Sequence, residues 1–135
     1  MTEISASDEL MNLAFFALDH GVESVKEGGP LVPFAVIENA DGRSLSRFVA
    51  ETLEEGQEQA RRHVRASADA VLAAVVWDGY AKIEGERTDA ILVEAHERGE
   101  PASVILLQRY RPGGRLKKFS TIGNPAIAGY GDPLV

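Results

Sequence analysis

Hydrophobic positions follow three different spacings along this chain, and each spacing predicts an element. Over residues 6–26, Leu10, Leu13, Ala14, Ala17, Leu18, Gly21, Val22 and Val25 recur at helical intervals. Met11, Phe15 and Phe16 widen that stripe beyond one face, so the first helix is expected to pack on more than one side. Ser5 or Ser7 can cap it, Asp8 and Glu9 suit the positive end of its dipole, and Gly28-Gly29-Pro30 stops it. A second helix opens at Thr52-Leu-Glu-Glu55, a capping box in which the two end residues satisfy each other's free amides, and runs to about Ser67. Its apolar seam is thin (Leu53, Gly56, Ala60, Val64). Glu54, Glu55, Glu58, Arg61, Arg62 and Arg65 occupy the rest of its surface, with Glu58 and Arg62 placed for an i,i+4 pair worth about 0.2–0.5 kcal/mol.

Strand patterns fill the remainder. Residues 32–37 and 44–49 predict a hairpin around Asn39–Arg43, where Asp41-Gly42 permits the reversal and Pro33 marks a strand start or an edge. Three runs then follow, 70–77, 90–95 and 104–107, each apolar on both faces. The turns between them, Glu84-Gly85-Glu86 and Arg98-Gly99-Glu100-Pro101, are too short for a parallel crossover, so the neighbours must be antiparallel. A last short strand, 116–120, is expected to pair back through Pro112-Gly113-Gly114. Residues 121–135, broken by Gly123, Pro125, Gly129, Gly131 and Pro133, read as an irregular tail. The expectation is one α+β domain: a single antiparallel sheet of five to six strands with two helices, in the order α-β-β-α-β-β-β(-β).

A sheet that is apolar on both sides needs cover on both sides. The first helix has the breadth to hide one face, whereas the second hides little of the other. That imbalance points to association, most simply a twofold homodimer, or to docking of a protein partner.

Composition narrows the chemistry. At 135 residues the chain is long enough for one real core, and it has no cysteine, which removes disulfides, thiolate metal sites and a cysteine nucleophile. The net charge of −7 argues against a general nucleic-acid binder. Its distribution is uneven: residues 1–60 carry 12 acids against 3 bases, and residues 61–135 carry 9 against 11. The acidic first half raises the reading of an immunity-type inhibitor of a basic partner, and equally describes a solvated surface. No stretch approaches a membrane span, and the first residues lack the basic and apolar regions of a signal peptide, so a cytoplasmic location is expected.

Candidate sites are few. Glu94 and His96 share a strand face beside Glu97, but two ligands fall short of the three or four a zinc site takes, and an exposed strand edge describes them equally well; no metal is expected. Asp78 and Asp89 flank apolar runs and are the best carboxylates for acid–base work. Turn chemistry at Asp78-Gly79, and a strand start or an ion pair with Arg87 at Asp89, are the structural alternatives. Arg109, Arg111, Arg115, Lys117 and Lys118 form the one basic cluster. Arg109 and Arg111 continue the face of Ile105 and Leu107, while Tyr110 continues that of Leu106. With Trp77 and Asp89 these side chains are the candidates for a small anionic ligand near the 109–118 hairpin, against the alternative of a hairpin tip whose charges keep an edge strand soluble. No phosphate-binding glycine loop, dinucleotide fingerprint or nucleophile elbow occurs, so no cofactor is expected and a non-catalytic domain is the preferred reading, with a ligand-binding or enzymatic pocket near the Arg109–Lys118 hairpin as the alternative.

At the residue level Pro33-Phe34, Asp41-Gly42, Thr88-Asp89-Ala90-Ile91 and Gln108-Arg109-Tyr110-Arg111 resemble a family of small uncharacterised bacterial proteins over about residues 30–120. The element order is similar to that of roadblock and profilin-like domains, which implies one antiparallel sheet carrying helices on its faces. Neither resemblance implies an activity.

Overall fold

A computed structural model describes residues 6–28, 30–114 and 116–135; Ser5, Gly29 and Arg115, invoked above, lie outside the described residues. The first helix, α1 (Asp8–Lys26), is capped by Ser7, whose Oγ accepts from the Leu10 amide at 3.1 Å. A hairpin of β1 (Phe34–Asn39) and β2 (Gly42–Arg47) follows. Next comes α2 (Leu53–Arg65), where Thr52 Oγ1 accepts from the Glu55 amide at 3.1 Å. Four strands complete the chain: β3 (Leu72–Ile83), β4 (Glu86–Glu97), β5 (Ser103–Arg111) and β6 (Ser120–Gly131). All six strands form one antiparallel sheet in the order β2-β1-β3-β4-β5-β6. The expected fold class and element order are both present.

The three apolar runs belong to longer strands: 72–77 opens β3, with Ala70 and Val71 before it, 90–95 lies inside β4, and 104–107 lies near the start of β5. Strands β3 and β4 pair over their whole length, from Leu72 opposite Glu97 to Ile83 opposite Glu86, around a two-residue turn in which Glu84 and Gly85 both have positive φ. The pair Asp78-Gly79 therefore makes no turn. It lies inside β3, where a Cβ on Gly79 would stand 2.7 Å from Leu92 Cδ1. Glycine is there to let the leucine cross the sheet, and no reversal is involved.

The expected short strand and irregular tail also require correction. Leu116 is 97% exposed in the loop after β5, and strand structure begins only at Ser120 and continues to Gly131. As an edge strand, β6 tolerates Pro125 because no outer neighbour needs its missing N–H. Two register shifts absorb the extra residues. One is bridged by Gln108, whose Nε2 donates to the carbonyls of Ile122 and Gly123 at 3.3 and 3.2 Å.

The two faces are covered unequally. On the first, α1 packs across β3 and β4, burying Phe34, Val36, Ala74, Val76, Ile91, Val93 and Leu106 in the main core. On the second, α2 packs mainly on β3 and β1, setting Ala60 and Val64 against Ala35, Ile37, Ala73 and Val75. Leu134, from the segment after β6, completes that smaller core.

Candidate functional site

The uncovered half of the second face is built by register. Across the sheet run three rows: Val75-Glu94-Ile105-Gly129, Trp77-Leu92-Leu107-Ala126, and Gly79-Ala90-Arg109-Ile122. Beyond β3 no helix among the described residues covers these rows. Trp77, Leu92, Ile105, Leu107 and Ile122 are half-buried. From strand spacing and rise, the apolar trough measures about 300 Å², the scale of a functional patch on a soluble protein. It is smaller than a wholly uncovered face because α2 and Leu134 hide the rest.

Positive charge rims the trough. On the α2 side, Arg61 lays its guanidinium over the Trp77 ring at 5.1 Å and pairs with Glu94 at 2.8 Å. Glu94 is buried, and its second carboxylate oxygen accepts from the Ser103 hydroxyl. On the opposite side lie half-buried Arg109 and exposed Arg111, neither in an ion pair among the described residues. Three of the sequence candidates, Trp77, Arg109 and Arg111, thus share one face.

The others are elsewhere. Tyr110 is buried on the first face, its ring 5.7 Å from that of Phe119, and its hydroxyl donates to Asp78 Oδ1 at 2.8 Å. Asp89 lies exposed within β4 and not at a strand start, opposite Tyr80 and Tyr110; Arg87 stacks on the Tyr80 ring at 4.2 Å and makes no ion pair with Asp89. Lys117 lines a cleft of about 340 Å³ between the end of α1 and the 112–119 loop, with Val25, Lys26, Glu27 and Phe119. Glu27 and the negative end of the α1 dipole make that cleft a poor anion site despite its two lysines.

Glu94 and His96 do not form the exposed strand edge considered from sequence. Strand β4 is central, both side chains are buried, and Glu97 points to the other face, where it accepts from Ser7. The Glu94–Arg61–Ser103 network was missed in the sequence, although one signal was available: a carboxylate inside an apolar run needs a buried partner.

Burial pushes the Asp78 carboxyl above its ordinary range, the Tyr110 hydrogen bond pulls it back, and the nearby Asp89 charge raises it. Burial and Asp78 together push the Tyr110 phenol up. A carboxyl raised in the folded state favours folding below its unfolded value, and that contribution is lost as pH rises through the folded value. Asp78→Asn, which keeps an acceptor for Tyr110, is therefore expected to raise the Tm at neutral pH and to give little gain near about pH 3. An equal gain at both pH values in thermal melts refutes this assignment.

No protein-family model matches the chain, and neither does any curated protein or solved structure, so its function has to be argued from these side chains.

Proposed function

We propose that the protein is a non-catalytic binding domain that pairs with a second copy of itself through the open half of its second sheet face. The observation that carries this reading is the trough of Trp77, Leu92, Ile105, Leu107 and Ile122, left bare by α2. Edge-to-edge pairing is the poorer route. Strand β2 ends the sheet with Arg43 and Arg47, and β6 is interrupted by Pro125 and two register shifts, all features that blunt an edge. A twofold contact uses the same patch on both copies. Such a contact sets the rim of one copy against the same rim of the other, so Arg109 and Arg111 lie at the solvated edge of the interface, where salt screens their repulsion.

Leu107→Glu places a carboxylate in the trough centre and is expected to weaken dimerisation by on the order of tenfold or more. Sedimentation equilibrium at micromolar concentration reads this, with Leu116→Glu, outside the patch, remaining dimeric. A wild-type chain that is monomeric throughout overturns self-association and leaves an acidic partner protein as the occupant of the same face. Arg109 and Arg111, without an ion pair among the described residues, support a weaker second reading, a small anionic ligand. The exposed Glu54 and Glu55 support a third, an immunity-type inhibitor.

A further inference from the structure

The segment after β6 is held in an unusual way. It leaves the sheet at Gly131, where a Cβ would stand 2.8 Å from Ser103 Oγ and closer still to the Glu94 carboxylate, so the chain passes directly over that pair. Leu134 then enters the slot between α2 and the sheet and is buried there among Ala60, Val64, Ala73 and Val75. The amides of both Leu134 and Val135 donate to one atom, Nδ1 of the fully buried His96, each at 3.2 Å. The other ring nitrogen, Nε2, lies 2.9 Å from the Glu100 carbonyl. Two donors aimed at Nδ1 and an acceptor facing Nε2 fix the ring as the neutral Nε2–H tautomer.

We infer that residues 132–135 form a strap that neutral His96 holds closed and that protonation of His96 releases. A solvent proton adds to Nδ1 and turns the acceptor into a donor facing two donors, leaving the buried Leu134 amide and the half-buried Val135 amide without that partner. The charged groups nearby do not replace that acceptor. Glu94 of β4, on the same face, is occupied by Arg61 of α2 and Ser103 of β5. Arg98, in the turn after β4, donates to the carbonyls of Ala70 and Ser67. Glu100 offers His96 its carbonyl, and Asp132 is exposed at the start of the strap. Release uncovers the Leu134 slot beside the trough, so the open face widens in acid. The switch itself belongs to the fold and stands whether or not the chain dimerises.

The test is amide exchange and imidazole titration followed by NMR on the wild-type protein at a concentration where one species is present. As pH falls, the protection factors of Leu134 and Val135 are expected to drop by about tenfold or more in step with the His96 ring titration, while Val75 and Val93 stay protected. In His96→Asn, whose Oδ1 keeps an acceptor near the Nδ1 position and does not titrate, strap protection is expected to stay constant. The inference is overturned by unchanged wild-type strap protection between about pH 8 and pH 5, the range in which an imidazole changes charge. Loss of Val75 and Val93 protection together with the strap, which means global unfolding, overturns it equally.

Discussion

Replacing Arg61 by methionine is expected to destabilise the protein by about 3–5 kcal/mol, the usual result of removing one partner from a buried ion pair. The Arg61 side chain is 19% exposed and that of Glu94 only 6%, so the damage falls on the carboxylate. With the guanidinium gone, the buried Glu94 carboxyl is left with only the Ser103 hydroxyl against it. Arg61 retains some water, which places the effect toward the lower end of the range. The compensating change is Glu94→Gln: in the Arg61→Met background it removes the stranded carboxyl and is expected to recover most of the loss. Urea denaturation followed by the fluorescence of Trp77, the single tryptophan, reads both stability and the lost guanidinium cover. A loss under about 1 kcal/mol, or a double variant no better than Arg61→Met alone, shows that the pair does not hold α2 to β4.

The second large effect separates two phenylalanines. Phe34→Ala is expected to lose about 3–5 kcal/mol, because the ring is 1% exposed in the main core and its removal leaves a cavity between α1 and the sheet. Phe15→Ala is expected to stay within about 0.5 kcal/mol, since that ring is 42% exposed on the outer flank of α1. Both are read from denaturation midpoints at constant m-value. A Phe15 loss matching that of Phe34 means that something covers α1's flank in solution, and the monomer surface would need redrawing.

The contrast between these residues marks how far the sequence could be read. Helical spacing placed Phe15 and Phe16 on a widened stripe, but the width of a stripe does not say whether a second element lies against it. In the fold, Phe16 gains the Arg43 guanidinium at 4.6 Å, and Phe15 stays largely in water. Legibility at the site was similarly divided. Strand alternation put Arg109 and Arg111 on one face with Tyr110 opposite, as found, because the side-chain period of a strand is a local property. That Trp77 lies on the same face as the two arginines, two strands away, depends on register across β4, which no local pattern carries. Tyr110 and Asp78, 32 positions apart in the chain, meet for the same reason.

Strand β6 is the clearest failure of local reading. Gly123, Pro125, Gly129 and Gly131 weaken any isolated strand, yet eight of the twelve residues of β6 pair with β5 because an edge position asks for hydrogen bonds on one side only. The Gln108 amide then bridges the irregularity from the neighbouring strand.

By itself the sequence determined the helices, their caps, the antiparallel sense of the sheet and the shortage of cover on one side. These follow from spacing, short turns and apolar content, all of which are local or additive. The tertiary structure decided where that shortage falls, which charges meet in the interior, and that Leu134, from a stretch resembling a loose end, fills part of the gap. Those outcomes depend on register and on contacts between distant segments, where a shift of one residue would turn every side chain to the other face.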